Sequence, residues 1–449
     1  MTATLLVNAT YVNDGSTRVR DILLENGHIV KIDNTITPKN EYKIIDCSGL
    51  LVLPGVIDDQ VHFREPGAVH KATIASESRA AVLGGTTSFM DMPNNNPSIT
   101  SLAGLNTKRD IAVSNSLANY SFYLGATADN LDEIKAVDPR RVCGIKIFMG
   151  SSTGSLLVED DDAIRNIFKA SQIPVATHCE DNAIINENMQ AFVAKYGREN
   201  LKPYMHPEIR SREACLKSTK RAIRLAEEVG GNLHVLHLST REEVELFQKY
   251  ASLPVVERRI TAEACIPHLF FAEDAYTDLG NRLKCNPAVK GILDREALVN
   301  AVATGVTTTI GTDHAPHTVA EKDQPYCDAP SGLPTIQFSL LAMLDLVNTG
   351  KLSIEQVVTA MCHNPALRFN VDSRGFIREG YWADIVIINP KAEFTVRPHD
   401  IASKCGWSPF VGHTFSSKVV HTFVNGNQVV NNGKLSEQFV CGRELEFCR

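Results

Sequence analysis

A stretch near the start of the chain carries a polar side chain at every second position. Asp58, Gln60, His62 and Arg64 fall within residues 57–67. Alternate side chains of a β-strand share one face, so the sequence predicts that these four point the same way. An acid, an amide, an imidazole and a guanidinium could together bind a metal ion, move a proton and hold an anion.

Three histidines, His62, His178 and His237, lie near the ends of three different predicted strands. The ends of parallel strands meet at one face of a barrel, so the three could converge there. Neutral imidazole is a common ligand of zinc, although a single such histidine is usually structural. His234 starts its strand with the opposite parity, and we expect it to lie behind the site or in the core.

Lys146 stands between Ile145 and Ile147 in an apolar strand. Alternation sends both isoleucines outward and Lys146 inward, where an unpaired ammonium is costly. Two alternatives remain open from the residues alone. Lys146 forms an ion pair with Asp58 or Glu263, or CO₂ converts its amine into a carboxylate able to bridge two metal ions.

Asp313 ends the eighth predicted strand, in the segment 311–317. A carboxylate at that place could bind metal and move a proton, or it could cap a turn. Arg64 offers a planar fork for a carboxylate, with an ordinary salt bridge as the alternative. Asn94 and Asn286 stand in Asn-Pro-rich stretches that alone would indicate turns.

Eight apolar strands alternating with helical stretches must position these residues, which predicts an α/β fold with a (β/α)₈ TIM-like barrel over residues 56–369. Residues 1–55 and 370–449 are rich in β patterns and should form one small β-sandwich module beside it. The predicted barrel strands are the stretch at 57–65 and residues 86–91, 120–124, 144–148, 175–178, 234–238, 260–263 and 308–313.

Composition narrows the class of protein. The 449 residues carry a net charge of -7, which gives no reason to expect nucleic acid or an anionic membrane as partner. There is no run of 18 apolar residues, and residues 1–8 lack the pattern of a secretory signal. Eleven scattered cysteines without a Cys-x-x-Cys pair indicate reduced thiols, so we expect a cytoplasmic protein.

Seven short motifs, in chain order, resemble the landmarks of the dihydroorotase family of the amidohydrolase superfamily. One such motif would be weak, but seven in register over nearly the whole chain are specific. They are Arg64-Glu65-Pro66-Gly67, Met92-Pro93-Asn94, Gly144-Ile145-Lys146, His178-Cys179-Glu180-Asp181, Thr261-Ala262-Glu263, Asn286-Pro287 and Thr312-Asp313-His314-Ala315-Pro316-His317.

The resemblance implies a zinc centre at the barrel mouth. Lys146, carboxylated by CO₂ or bicarbonate, would bridge two ions. His178 and His237 would hold one ion, and His62 and Asp313 the other. Asp313 would also be the catalytic acid and base.

The resemblance also implies a substrate and its contacts. Arg64, Asn94 and His317 would grip the substrate carboxylate, and Asn286 would contact the ring. The reaction would be reversible cyclisation of N-carbamoyl-L-aspartate to L-dihydroorotate, a step of pyrimidine biosynthesis. Family habit suggests a homodimer.

Gln60 departs from the family pattern, which is His-x-His at this place. A neutral amide is a weaker zinc ligand than imidazole, so the ion at His62 and Asp313 should be held less firmly, if at all. Gln60 and Asp58 are therefore uncertain as ligands or supports.

Two alternative functions remain. One is another cyclic amidohydrolase, a hydantoinase or allantoinase, against which Arg64 argues because those substrates carry no matching carboxylate. The other is a non-catalytic scaffold for a transcarbamoylase, which only Gln60 supports.

Overall fold

The N-terminal segment is built of β-strands. The structure, a computed structural model, describes residues 3–150 and 156–449. Asn26 and Gly27 both have positive φ, 52° and 87°, as a tight hairpin turn requires. The strands are β1 (Thr4–Asn13), β2 (Ser16–Glu25), β3 (His28–Asp33), β4 (Lys43–Asp46) and β5 (Leu51–Pro54).

The middle of the chain folds into the predicted barrel of eight parallel strands, the third of which is in two pieces. Neighbours pair in chain order within two sheets, and the barrel closes where the amide nitrogen of His62 donates to the carbonyl oxygen of His314 (2.8 Å). The strands are β6 (Val56–Val61), β7 (Thr86–Asp91), β8 (Asn119–Phe122) with β9 (Leu124–Gly125), β10 (Ile145–Phe148), β11 (Val175–His178), β12 (Leu233–Val235), β13 (Ile260–Cys265) and β14 (Thr309–Gly311).

Helices follow the barrel strands, which completes the strand–helix alternation. In the described part of the chain, no helix is long and apolar enough to cross a membrane. The α-helices are α1 (Ile74–Leu83), α2 (Leu102–Asn115), α3 (Leu131–Lys135), α4 (Asp161–Ala170), α5 (Asn182–Tyr196), α6 (His206–Ile209), α7 (Arg212–Val229), α8 (Arg241–Phe247), α9 (Ile266–Phe270), α10 (Tyr276–Leu279), α11 (Ile292–Ala303), α12 (Val319–Lys322), α13 (Ser339–Asn348), α14 (Ile354–Val358) and α15 (Asn364–Phe369).

Strands from both ends of the chain form one nine-stranded mixed sheet, which confirms the composite β module. The C-terminal strands of this sheet are β15 (Ile385–Asn389), β18 (Lys418–Val424), β19 (Asn427–Asn431) and β20 (Lys434–Leu435). Two further strands, β16 (Phe394–Thr395) and β17 (Thr414–Phe415), pair with each other in a separate sheet. The order of the nine-stranded sheet is β20-β19-β18-β15-β5-β1-β2-β3, with β4 beside β1. The antiparallel pair β5–β15 joins the two ends. The domain limits near residues 55 and 370 stay predictions.

Strand β6 ends earlier than predicted and is irregular. Its register with β7 shifts between Asp58 and Val61, as at a β-bulge. Arg64 lies beyond the strand end and has a φ of 67°. Strict alternation therefore fails, and Asp59 also faces the barrel interior, with its Oδ2 3.3 Å from Nε2 of His234.

A buried ion pair fixes the turn that follows β6. Nζ of Lys108 lies 2.8 Å from Oδ2 of Asp91, and both side chains are essentially unexposed. Oδ1 of Asp91 accepts a hydrogen bond from the backbone nitrogen of Phe63 (3.0 Å), which stands between His62 and Arg64. The pair therefore positions two of the predicted site residues.

The substitution Lys108→Met should destabilise the fold strongly, because it leaves the Asp91 carboxylate buried without its counter-charge. We expect the free energy of unfolding in urea to fall by about 3–5 kcal/mol. Lys135→Met is the control, since Lys135 pairs with Asp132 at the surface (3.4 Å) and its side chain is 61% exposed. That variant should change stability by less than about 0.5 kcal/mol. Similar small effects for both variants would contradict the assignment.

Candidate active site

Ten of the predicted site residues line one cavity at the carboxyl ends of the barrel strands. The cavity has a volume of about 380 Å³, and residues around Ser331 form part of its wall. The ten are Gln60, His62, Arg64, Asn94, Lys146, His178, His237, Asn286, Asp313 and His317.

Asp58 lies outside that cavity and ties β6 to the end of β14. Its Oδ1 accepts from the backbone nitrogens of Thr312 (3.1 Å) and Gln60 (3.2 Å), and its Oδ2 accepts from Oγ1 of Thr312 (2.6 Å). Burial raises the pKa of Asp58 to about 7. These contacts occupy both carboxylate oxygens, so Asp58 supports the strand that carries the site.

His178 and His237 point ring nitrogens at each other. Nδ1 of His178 lies 3.0 Å from Nε2 of His237, while Nε2 of His178 lies 2.8 Å from Oε2 of Glu180. Burial lowers the pKa of both histidines, which keeps the imidazoles neutral. Neutral rings with converging nitrogens, one oriented by a carboxylate, are the donor set of a zinc site.

Lys146 projects into the cavity from β10, as predicted, whereas Ile145 and Ile147 pack in the surrounding core. Its Nζ lies 4.6 Å from the centre of the Phe148 ring. Burial lowers the pKa of Lys146 to about 7, although Asp313 and Glu263 act in the opposite direction. Near neutral pH a large share of the amine is therefore unprotonated, which is the form that reacts with CO₂.

Asp313 receives contacts from both His62 and Gln60. Its Oδ1 lies 3.1 Å from Nε2 of His62 and accepts a hydrogen bond from Nε2 of Gln60 (3.1 Å). The other ring nitrogen of His62, Nδ1, lies 2.6 Å from Oδ1 of Asn94 and donates to it. Gln60 thus serves as a donor that orients Asp313. Asn94, expected to grip substrate, also fixes the tautomer of His62.

A cationic group forms another part of the cavity wall. Nη2 of Arg64 lies 3.0 Å from Nε2 of His317, and Nε of Arg64 donates to the carbonyl oxygen of Pro316 (3.1 Å). Nζ of Lys71 lies 3.0 Å from Nδ1 of His317 and 2.9 Å from Oε1 of Glu321. Burial, then Arg64 and Lys71, hold the pKa of His317 far below its ordinary value, so the ring is neutral.

Sequence reasoning missed two supporting residues. Lys71 stands in a loop whose composition gives no signal for a site. Glu180 belongs to a quoted motif, yet nothing in its spacing shows that it contacts both His178 and Arg210. Asn286 was expected, and its Oδ1 lies 3.2 Å from Nε2 of His206, a residue the sequence did not single out.

Three cavity residues adopt the left-handed backbone region that non-glycine residues rarely occupy. The φ angles are 67° for Arg64, 36° for His237 and 47° for Asp313. Each such residue costs about 1–3 kcal/mol and persists only where its surroundings hold it. The three follow different strands, and they are three of the ten non-glycine residues with positive φ in the described part of the chain.

Comparison with known proteins shows the family to which this chain belongs. The sequence model of the amidohydrolase family matches residues 51–429. A protein named dihydroorotase from Methanosphaera stadtmanae is 31% identical over 91% of this chain and 93% of its own. The dihydroorotase of Elusimicrobium minutum is 31% identical over 96% and 98%.

Solved structures of related enzymes share the fold. The L-hydantoinase (dihydropyrimidinase) of Arthrobacter aurescens superimposes with a TM-score of 0.93, at 26% identity over 99% of this chain and 100% of its own. The dihydropyrimidinase of Brevibacillus agri gives 0.89 at 23% identity, covering both chains fully, which shows the fold alone. Taken with the family match and the full-length relatives, these likenesses show that the chain belongs to the amidohydrolase family, as a cyclic amidohydrolase.

Proposed function

We propose that the protein is a dihydroorotase, which interconverts N-carbamoyl-L-aspartate and L-dihydroorotate in pyrimidine biosynthesis. The observation that carries this proposal is the environment of the Arg64 side chain. Within the described part of the chain, this partly buried guanidinium has no carboxylate within 4.0 Å, yet it lines the cavity that contains Asp313. A substrate carboxylate would supply the missing partner. The dihydroorotase names of the relatives support the same substrate.

Asp313 is the proton carrier in this proposal. In the hydrolytic direction water adds to the ring carbonyl carbon, the carbon–nitrogen bond breaks and the nitrogen takes up a proton. Asp313 accepts the proton of the water and then donates it to the leaving nitrogen. Gln60 holds its Oδ1 in place by donating a hydrogen bond to it. In the synthetic direction the same groups act in reverse, and Arg64 anchors the remote carboxylate throughout.

The donor set at the mouth fits zinc. Lys146, His178 and His237 would hold one ion firmly, with Lys146 carboxylated by CO₂ or bicarbonate. His62 and Asp313 would hold a second ion less firmly, because Gln60 replaces an imidazole with an amide. A bound zinc ion would act as a Lewis acid toward the amide carbonyl and supply a nucleophile at neutral pH.

The alternatives differ in substrate or partner. A hydantoinase, as the structural relative from Arthrobacter aurescens is named, would use rings without a carboxylate. A scaffold would show no turnover and would bind a transcarbamoylase. Comparing turnover of L-dihydroorotate, hydantoin and allantoin separates the enzymes, and preference for L-dihydroorotate is the expected result. We also expect a homodimer, from family habit alone.

The substitution Arg64→Met should damage turnover of L-dihydroorotate selectively. Losing a charged partner of a desolvated carboxylate costs about 2–4 kcal/mol, so kcat/KM should fall roughly 30- to 1,000-fold. Arg64→Lys keeps the positive charge but lacks the planar guanidinium, so its kcat/KM should lie between those of the wild type and Arg64→Met. Arg241→Met, which alters an exposed pair with Glu242, is the control and should leave kcat/KM unchanged. Equal kcat/KM for wild type and Arg64→Met would rule out the carboxylate clamp.

The substitution Asp313→Asn should remove the proton carrier and lower kcat by about 10²- to 10⁴-fold. Zinc content must be measured in parallel at saturating zinc, because Asp313 is also a proposed ligand. Binding of L-dihydroorotate, followed by calorimetry, should persist. Near-normal kcat in this variant would show that another group moves the proton.

Carboxylation of Lys146 should depend on pH. With a pKa of about 7, roughly a tenth of the amine is neutral at pH 6 and roughly nine-tenths at pH 8. At a fixed pressure of ¹³CO₂, the carbamate signal of metal-depleted protein in ¹³C NMR should therefore grow as pH rises. Lys146→Arg is the control and should give no such signal. A wild-type signal that is absent at pH 8, or that grows as pH falls, would contradict the proposal.

A further inference from the structure

A second group of metal-ligand side chains lies inside the barrel, behind the cavity wall. Asp59 on β6, His234 on β12 and Glu263 on β13 are all fully buried, and none of them lines the cavity. One ligand atom from each residue lies within 4.8 Å of the others. The proposed reaction does not use any of the three.

The hydrogen bonds of His234 determine which way its lone pair points. Nδ1 of His234 lies 2.8 Å from Oγ1 of Thr261, and that hydroxyl donates in turn to the carbonyl oxygen of Leu233 (3.3 Å). The hydroxyl therefore accepts from Nδ1–H, which leaves a lone pair on Nε2. Nε2 lies 3.5 Å from Oγ1 of Thr309, a long contact, and faces Oδ2 of Asp59 at 3.3 Å. A nitrogen lone pair and a carboxylate oxygen at 3.3 Å repel each other, and a cation between or beside them would remove that repulsion.

Both carboxylates add unpaired acceptors to the same space. The Asp59 and Glu263 carboxyl groups lie close enough to share a proton, and among the described residues neither oxygen of Asp59 nor Oε2 of Glu263 accepts a hydrogen bond from any other donor. The second oxygen of Glu263, Oε1, accepts from the backbone nitrogen of His237 (3.1 Å) and from Sγ of Cys265 (2.8 Å). Unpaired buried carboxylate oxygens are costly, so a cation or a shared proton must complete the cluster.

Gly311 leaves the space open. A Cβ at this position of β14 would lie 2.6 Å from Oε2 of Glu263 and 3.1 Å from Oδ1 of Asp59. Any side chain here would push into the carboxylate oxygens. At Gly311, β14 therefore presents only its backbone to the cluster, and no side chain of that residue occupies the space beside the carboxylate oxygens.

We propose that Asp59, His234 and Glu263 bind a structural divalent cation of the zinc type, separate from the ions at the mouth. Two carboxylate oxygens and one imidazole nitrogen supply three donors of the kinds that zinc binds, with the other ring nitrogen of the histidine oriented by a hydrogen bond. Zinc bonds of about 2.0–2.1 Å set ligand atoms of a tetrahedron about 3.3 Å apart. The separation of His234 Nε2 and Asp59 Oδ2 in the structure is 3.3 Å.

The ion would join three barrel strands directly beneath the reacting groups. Glu263 contacts the backbone of His237, and Asp59 precedes Gln60 in the chain. Neutralising the carboxylates of Asp59 and Glu263 would stabilise the barrel more once Lys146 gains a negative charge by carboxylation. Since all three ligands are fully buried, release of this ion should be slow compared with that of the mouth ions.

The test uses zinc as the probe and needs no substrate. Protein loaded with zinc and then dialysed against EDTA should keep about one zinc per chain by elemental analysis. An anomalous-difference map at the zinc edge should place that ion between Asp59, His234 and Glu263. The variants Asp59→Asn and Glu263→Gln should lose the resistant zinc and unfold at lower temperature. His178→Asn, a control at the mouth, should keep it.

Two results would overturn the proposal. One is a wild-type map with zinc at the mouth and no peak among the three ligands, which would mean that the two carboxylates share a proton. The other is the same EDTA-resistant zinc content in Asp59→Asn as in wild type. The wild-type map decides the question even if both variants fail to fold.

Discussion

The mouth of the barrel depends on one electrostatic constraint, which is that acceptor atoms from different strands converge in a buried space. His178 and His237 face each other through ring nitrogens 3.0 Å apart, and His62 faces Asp313 at 3.1 Å. Water cannot solvate these groups freely, so each unpaired acceptor is costly. The surrounding residues hold the acceptors in place and do not neutralise them.

The cavity has two regions, one lined by hydrogen-bond acceptors and the other by cationic side chains. Acceptors gather around Asp313 and the histidines, whereas Arg64 and Lys71 gather around the neutral ring of His317. A molecule with an amide carbonyl at one end and a carboxylate at the other matches that division. The left-handed backbone at Arg64, His237 and Asp313 shows that the arrangement is maintained against local strain.

Much of this could be predicted from the sequence because the barrel has simple rules. Parallel strands are short apolar runs, and residues at their carboxyl ends converge, so the sequence alone predicts that His178, His237 and Asp313 lie close together. Alternation also placed Lys146 in the cavity between two outward isoleucines. These inferences needed only local patterns and the topology they imply.

The rest depends on contacts that local patterns do not encode. Because the register of β6 is irregular, Asp59 faces the barrel interior and Asp58 accepts a hydrogen bond from Thr312, which simple alternation does not predict. Arg64 and His317 meet although 253 residues separate them, and Lys71 reaches the same ring from a loop. Bulges and loop paths follow from packing of the whole molecule, so no single segment predicts them.

The decisive experiment is a crystal structure of the zinc-loaded protein with L-dihydroorotate bound. We expect the substrate carboxylate within hydrogen-bond distance of the Arg64 guanidinium, about 2.7–3.2 Å, with the ring amide beside Asp313. A ligand bound in the cavity with its carboxylate away from Arg64, or with its ring amide away from Asp313, would contradict this expectation.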